Sequence, residues 1–214
     1  MEPFTVETGR VMPLDRSDVD TDQIMPKQFL KRVERVGFGE FVFHDWRREP
    51  DFVFNDPAYA GAAVLVSGPN FGAGSSREHA PWGLQQYGFR VIVAPSFGDI
   101  FATNCAQIGL LTVEISSSVC RDLIDRALRD PRSTVTVDLA AQELAYDDVI
   151  HEFEVDPRRR RMLLEGLDQI ELTLRRGSEV EAHEAQRPAW MPVTTEAIHR
   201  LAASGPAHFQ EERP

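Results

Sequence analysis

The chain has 214 residues, with 23 Lys and Arg against 34 Asp and Glu, which gives a formal net charge of −11. This length fits one large domain, or one domain with a tail. The 42% hydrophobic and 27% charged residues are typical of a globular chain rather than a disordered one. The acidic balance argues against nucleic-acid binding, which depends on Lys and Arg neutralising phosphates. A small anion is not excluded, because one or two well-placed cations suffice to bind it.

Cysteine content and apolar run length restrict the compartment and the cofactor chemistry. Cys105 and Cys120 are the only cysteines, too few for a secreted disulfide scaffold. They are also too few for an iron–sulfur cluster, which usually needs three or four thiolates. The first residues lack the basic and apolar regions of a signal peptide, and no apolar run approaches the roughly 20 residues of a membrane helix. We therefore expect a cytoplasmic chain with no membrane span and no metal site.

The first sixty residues show little regular pattern. Residues 12–22 contain a proline and several acidic side chains, which is typical of a loop. Helical spacing of apolar side chains then predicts a helix from Phe29 to Val36, followed by glycines as stop signals.

From residue 62 onward, apolar runs alternate with helical patterns. The strands are predicted at residues 62–67, 90–94 and 110–115, and the helices at 78–87, 96–108 and 118–129. Ser96 and Asp99 form a predicted capping box at the start of the second helix. This alternation predicts a mostly parallel sheet with helices on its faces.

After Pro131 the apolar period changes to two, which indicates antiparallel strands and turns at 134–139, 143–146 and 149–155. Asp156 and Pro157 predict the start of another helix. A second capping box, Ser178 with Glu181, predicts a last helix ending near residue 186. The chain from residue 188 onward is expected to be an arm or a frayed tail. The predicted fold class is α/β, with a mostly parallel central sheet and added antiparallel strands.

The strongest chemical signal is the sequence GAGSSREH, residues 72–79, which follows a predicted buried strand and opens a helix. Glycines let the backbone approach a ligand closely, and a helix N-terminus favours anions. No lysine follows the glycines as in a P-loop, and Arg77 stands where a dinucleotide motif needs its third glycine. Since Arg suits bidentate carboxylate binding, the motif indicates a small-carboxylate site. The structural alternative is that the serines cap the helix and Arg77 pairs with Glu78 or another acid.

Other candidates have weaker signals. The acidic residues of DTDQI, 20–24, could cap a turn, bind a metal or hold a cation, and the cap is favoured. The six histidines show no ligand spacing. Cys105 and Cys120 fit buried helix faces. The four-arginine run Arg158–Arg161 is typical of a solvated face, with an acidic partner surface as the alternative.

Several segments together resemble one family. They are DTDQI at 20–24, PKQFLKR at 26–32, FGAGSSREHAPWGL at 71–84, FGDIFATNC with GLL at 97–111, and RPAW near residue 190. In this order and spacing they resemble the small subunit of 3-isopropylmalate dehydratase, also called isopropylmalate isomerase. The resemblance implies a swivelling β/β/α domain like the aconitase C-terminal domain over residues 1–192. Residues 193–214 would form a C-terminal tail, for which flexibility is an expectation.

This resemblance implies a hydro-lyase that is active only as a heterodimer with a large subunit, which holds a [4Fe–4S] cluster on three cysteines. The enzyme would interconvert 2-isopropylmalate and 3-isopropylmalate through 2-isopropylmaleate, in leucine biosynthesis. Among the matched positions, Ser75 would be the general base that takes a proton from carbon. Arg77 would bind a substrate carboxylate, and Asp22 would orient an active-site arginine or the substrate.

The resemblance also implies substrate-binding positions. Ser76 would help to hold the site through its backbone N–H and hydroxyl, with Gly74 and Thr21 beside it. Residues 26–36 would select the substrate, and Leu30 is expected to meet the isopropyl group.

Three alternatives stay open. If Lys31 or Arg32 points inward, a tricarboxylate such as homoaconitate fits better. A methyl-substituted malate is a second possible substrate within the same class. A non-catalytic anion-binding module would keep the fold without the chemistry.

Overall fold

The computed structural model describes residues 1–32, 34–74 and 77–187. The chain divides into two compact units, Met1–Leu172 and Thr173–Pro214. The expected domain boundary at residue 192 lies outside the described residues and stays a prediction. Within the described ranges, no helix is both long and apolar enough to cross a membrane.

The first unit is built on a seven-stranded mixed sheet with the order β4-β3-β2-β1-β5-β6-β7. The strands are β1 Val6–Leu14, β2 Val64–Ser67, β3 Val91–Ala94, β4 Leu111–Glu114, β5 Thr134–Asp138, β6 Glu143–Tyr146 and β7 Val149–Glu152. Strands β1 to β4 pair in parallel, whereas β5, β6 and β7 are added through antiparallel pairs. The predicted α/β class with added antiparallel strands is confirmed.

The described helices are α1 Thr21–Ile24, α2 His79–Tyr87, α3 Asp99–Ile108, α4 Ser117–Arg129, α5 Pro157–Glu165, α6 Gln169–Leu174 and α7 Gly177–Ala185. Helix α4 packs against β1 and β2, and α3 packs against both α2 and α5. The buried side of the sheet is almost entirely apolar, since β2 and β3 have no exposed residue. These two strands therefore match the continuous apolar runs expected of a parallel sheet core.

Strand β1 corrects the predicted loop at residues 12–22, because the strand continues to Leu14. Its first half, Val6–Arg10, pairs antiparallel with β5, and its second half, Val11–Leu14, pairs parallel with β2. Gly9 and Pro13 interrupt the local strand signal, and only the second half is buried. The strand is thus specified by partners far away in sequence rather than by its own pattern.

The predicted helix from Phe29 to Val36 is wrong. The chain forms a short 3₁₀ turn over Lys27–Lys31 and is already extended at Arg32. Phe29 stacks on Phe41 at 4.2 Å between ring centroids, whereas Val36 is 70% exposed, so these two apolar side chains share no buried face. A helix whose apolar stripe finds no partner gains little from packing. Residue 33 of this segment lies outside the described residues.

Two predicted capping boxes are also wrong. Helix α3 begins at Asp99 after Gly98, and no side chain caps it. The Ser96 hydroxyl instead accepts a hydrogen bond from the Asn70 N–H at 2.9 Å, so it serves the loop after β2. Helix α7 begins after Arg176, again with no side-chain cap from Ser178.

The cap of α5 is confirmed, since the Asp156 carboxylate accepts from two main-chain N–H groups in the first turn. Three arginines of the following run bind within the chain. Arg159 donates to the Thr103 hydroxyl at 3.2 Å, Arg160 to the Leu139 carbonyl at 3.3 Å, and Arg161 to Glu165 at 2.9 Å. These contacts give the run a role in bracing α5 that needs no partner surface.

The two cysteines are core residues, as predicted. Cys105 on α3 and Cys120 on α4 are both buried and unbridged. Burial raises the pKa of the Cys105 thiol well above its usual range, and it raises the pKa of Cys120 to about 12. Both side chains therefore stay protonated and apolar at neutral pH.

Candidate functional site

Two loops that leave neighbouring parallel strands build the candidate site. One loop follows β1 and leads into α1, and the other follows β2 and leads into α2. Their backbones interlock, because the Gly72 N–H donates to the Val19 carbonyl at 2.7 Å and the Thr21 N–H donates to the Ala73 carbonyl at 2.9 Å. The site thus lies at the carboxyl edge of the parallel strands, where open α/β sheets bind ligands.

Glycines in the second loop make this interlocking possible. Gly72 has φ of +74°, and a Cβ built on it would lie 2.2 Å from Cγ of Phe101. No larger residue fits there without moving α3. Gly74 has φ of +94°, and its Cβ position is 3.7 Å from the Thr21 hydroxyl, at the mouth of the site. The predicted close backbone turn is therefore present.

The acidic segment after β1 divides into two roles. The Asp20 carboxylate accepts from the Gln23 N–H at 2.7 Å, and the Gln23 side chain accepts from the Asp20 N–H at 2.8 Å. This reciprocal capping box confirms the favoured cap interpretation for the segment. Asp22, in the first turn of α1, is left 53% exposed and accepts a hydrogen bond from Nη1 of Arg77.

Arg77 and Asp22 therefore form an ion pair between the two loops, although 55 positions separate them in the sequence. The structural alternative for Arg77 is right in kind, since it does pair with an acid, but its hydrogen-bonded partner is Asp22. The Arg77 side chain is 24% exposed. It has five N–H donors, and the bond to Asp22 uses one of them. Such a group can hold a second carboxylate while the first one fixes its orientation.

His79, at the start of α2, belongs to this site, although the sequence gave it no role beyond its place in the motif at residues 72–79. Burial lowers its pKa, as does the nearby Arg77 cation, while Glu78 opposes the shift. The imidazole is therefore neutral at pH 7. Its ring meets Phe38 edge-on at 5.2 Å and lies 4.9 Å from Trp82 between centroids. The sequence signal that could have indicated this contact is the three-residue spacing of His79 and Trp82, which places both rings on one face of a helix.

The remaining candidate residues fall in three places. Ser75 and Ser76 lie outside the described residues. Thr21 is buried, and its backbone takes part in the pairing of the two loops. Leu30 is partly buried against the core, within the segment that follows α1. The structure thus brings together Thr21, Asp22, Gly74 and Arg77.

The described part of the chain contains no group of three or more His, Cys, Asp or Glu side chains arranged to hold a metal ion. Cys105 and Cys120 lie in different helices, and both thiols resist ionisation because they are buried. These two cysteines do not fit an iron–sulfur cluster, since thiolates are the ligands of such clusters.

Comparison with known proteins agrees with this architecture. The aconitase C-terminal domain family matches residues 1–118. The chain is 54% identical to the 3-isopropylmalate dehydratase small subunit of Acidothermus cellulolyticus over 194 residues, covering 91% of this chain and 98% of that protein. It is 50% identical to the same subunit of a Parafrankia species, covering 91% and 100%.

A crystal structure of 3-isopropylmalate dehydratase from Methanocaldococcus jannaschii superposes with a TM-score of 0.61. The match has 22% sequence identity and covers 84% of this chain and 99% of that one. At this identity the likeness supports the fold.

Proposed function

Because the chain belongs to the family of 3-isopropylmalate dehydratase small subunits, we propose that it supplies one half of a hydro-lyase site that a large subunit completes. The heterodimer would interconvert 2-isopropylmalate and 3-isopropylmalate through 2-isopropylmaleate, in the cytoplasm, as a step of leucine biosynthesis. The observation that carries the proposal is the Arg77–Asp22 pair at the carboxyl edge of the parallel strands. An oriented guanidinium at this edge suits a small carboxylate, and the substrate carries such a group.

Arg77 binds a substrate carboxylate in this proposal, and Asp22 orients the guanidinium. A cation beside a helix N-terminus faces the positive end of the helix dipole, so the Asp22 carboxylate offsets an unfavourable position. The first-turn N–H groups of α2 have no partner within the helix and add to the anion-binding field. Thr21 and Gly74 hold the loop backbone in place, and Ser76 contributes its N–H and hydroxyl.

Ser75 acts as the general base. Its alkoxide takes the proton from the carbon next to the one that bears the hydroxyl group, and the released electron pair forms the C=C bond. The C–O bond breaks with its electron pair leaving on the hydroxyl oxygen, so the proton on Ser75 and the departing hydroxide together make up the water that is lost. A serine hydroxyl is a poor base at neutral pH, so its anion needs stabilisation. The Arg77 cation and the α2 N-terminus supply it. A [4Fe–4S] cluster held by the large subunit would supply Lewis-acid polarisation of the leaving hydroxyl.

Leu30 contacts the isopropyl group in this proposal. One observation favours this over a tricarboxylate substrate. The guanidinium of Arg32 lies 5.1 Å from the centroid of the Phe41 ring and 4.0 Å from Glu34, so it already has an aromatic and an acidic partner. To bind a third substrate carboxylate, the Arg32 guanidinium would have to leave these two partners.

Reconstitution tests the proposal. The full chain is mixed anaerobically with a cluster-loaded large subunit, and turnover of 2-isopropylmalate is compared with that of each subunit alone. We expect activity only in the mixture, and its loss with Ser75→Ala although the complex still forms. No turnover with an intact cluster would contradict isopropylmalate as the substrate and favour a tricarboxylate. Failure to form any complex would favour the anion-binding module.

A further inference from the structure

The segment between α1 and residue 38 is attached to the candidate site at both ends. We call residues 27–37 the flap. It begins five positions after Asp22, which pairs with Arg77 just ahead of α2. It returns at Phe38, whose ring meets His79 in the first turn of the same helix. The returning end of the flap therefore lies along α2, and its start follows the short helix α1, whose Asp22 pairs with the carboxylate motif.

Gln86, near the far end of α2, holds the returning end of the flap. Its side-chain oxygen accepts from the Phe38 N–H at 2.8 Å, and its side-chain nitrogen donates to the Arg35 carbonyl at 2.8 Å. The two bonds bracket Gly37, which has φ of +82°. One exposed side chain thus satisfies two main-chain groups in a part of the chain that has no strand or helix ladder to pair them.

Two further contacts hold the same end. Gly39 lies so close to α2 that a Cβ on it would be 2.8 Å from the Gln86 carbonyl carbon. The Arg35 guanidinium lies 5.2 Å from the centroid of the Trp82 ring. In contrast, Lys27, Lys31 and Val36 are exposed. Phe29 and Leu30, at the start of the flap, are partly buried against the core, so packing holds the start whereas the attachment to α2 holds the returning end.

We propose that Gln86 is a positioning residue that holds the returning end of the flap on α2 and so restrains Leu30 relative to Arg77, which contributes to selectivity for the branched alkyl group of the substrate. Helix α2 acts as a rigid spacer, with the carboxylate site at its start and the flap attached near its end. Loosening the flap adds an ordering cost to alkyl binding and leaves carboxylate binding unchanged. The choice of substrate rests on the proposed function, whereas the attachment of the flap does not.

Proteolysis tests the attachment without any activity assay. Lys27 and Lys31 are the only lysines of the sequence, so a lysine-specific endoprotease cuts the chain only within the flap. We expect Gln86→Leu in the full chain to be cut about ten times faster than the wild type, since two hydrogen bonds are lost. Gln85→Leu is the matched control, because the Gln85 side chain, next to Gln86 in sequence, donates to the Ile108 carbonyl and not to the flap. An unchanged cutting rate for a folded Gln86→Leu chain would overturn the inference.

Kinetics of the reconstituted heterodimer test the consequence. We expect Gln86→Leu to raise KM for 2-isopropylmalate about tenfold and to change kcat by less than about twofold. The inhibition constant of 2-methylmalate, which lacks the branched group, should stay near the wild-type value. A fall in kcat with KM unchanged, or equal weakening of both ligands, would contradict a positioning role.

Two further variants keep the test decisive if Gln86→Leu does not fold. Gln86→Glu keeps the acceptor for Phe38 and loses the donor to Arg35, so an intermediate cutting rate is expected. Gly39→Ala places a Cβ against the backbone of Gln86, which should push the returning end of the flap away from α2 and raise the cutting rate as well. If the wild-type heterodimer does not turn over isopropylmalate, the proposed function fails, while the cutting rates still decide the attachment.

Discussion

The two halves of the sheet share β1 but use it differently. On the parallel side, the loops after β1 and β2 interlock and bring Arg77 to Asp22. On the antiparallel side, Arg126 bridges Asp122 at 2.7 Å and also pairs with Asp147. Both halves therefore contain an arginine with acidic partners, but the two arginines stand at opposite ends of their helices.

The difference lies in where each arginine stands on its helix. Arg126 is in the last turn of α4, where the helix dipole favours a cation. Arg77 stands just before the first turn of α2, where the dipole disfavours one. A cation that stands against the dipole and needs a partner from another loop is better explained by ligand binding than by stability. An arginine–aspartate pair thus stabilises the antiparallel half, whereas the similar pair in the parallel half is placed to bind a ligand.

The largest effect should come from the glycine that permits the loops to interlock. Gly72→Ala would force a Cβ into the Phe101 ring and keep φ positive, so we expect a loss of about 4 kcal/mol in the free energy of unfolding. Urea unfolding measures it. Gly177→Ala is the matched control, since a Cβ there meets nothing within 4 Å. A loss below about 1 kcal/mol for Gly72→Ala would show that the loop can move aside.

The comparison of the two arginines gives the next effect. In the reconstituted heterodimer, Arg77→Lys should lower kcat/KM about 100-fold, because an ammonium cannot pair with Asp22 and bind a carboxylate bidentately at once. Arg126→Lys should leave kcat/KM within about twofold of the wild type. Equal losses for the two variants would remove the distinction between the halves.

Substrate selectivity should change with the flap. Leu30→Arg should lower kcat/KM for 2-isopropylmalate at least about tenfold, because a charge would replace the apolar contact for the alkyl group. The inhibition constant of a tricarboxylate such as homoaconitate should improve in the same variant. Unaltered preference between these two ligands would show that Leu30 does not face the substrate.

The smallest effect concerns the buried thiol of Cys120 on α4. Since burial raises the folded-state pKa of Cys120 to about 12, from the usual 9, the folded chain holds this proton more tightly than the unfolded chain does. Its contribution to stability is therefore complete below pH 9 and is lost as the pH rises toward 12. Urea unfolding between pH 8 and pH 11 measures this slope, which should be shallower in Cys120→Ala. Equal slopes would contradict a raised pKa.

Local pattern predicted the elements whose partners follow directly in sequence. Strands β2 to β4 and helices α2 to α4 were predicted within a few residues, because each apolar run is buried by the elements beside it. Strand β1 was not, since its partners lie in residues 64–67 and 134–138. The Ser96 cap failed because the hydroxyl had a competing partner in Asn70.

Most members of the candidate site could be predicted from residue types, whereas a pairing of Asp22 with an arginine was expected only through the family resemblance. Glycines, an arginine and an acid can be picked out as residue types, whereas the pairing of Arg77 with Asp22 depends on two parallel strands lying side by side. Gln86 gave no signal at all, because its role consists of two bonds to the backbone of the flap. Such contacts leave no residue pattern.

The most direct test asks whether Asp22 acts through Arg77. A double-mutant cycle in the reconstituted heterodimer compares kcat/KM for Asp22→Asn, Arg77→Lys and the double variant. We expect Asp22→Asn alone to cost about tenfold, and the double variant to be no worse than Arg77→Lys, since the orienting carboxylate has nothing left to orient. Losses that multiply to about 1000-fold would show two independent roles and would contradict a single carboxylate-binding pair.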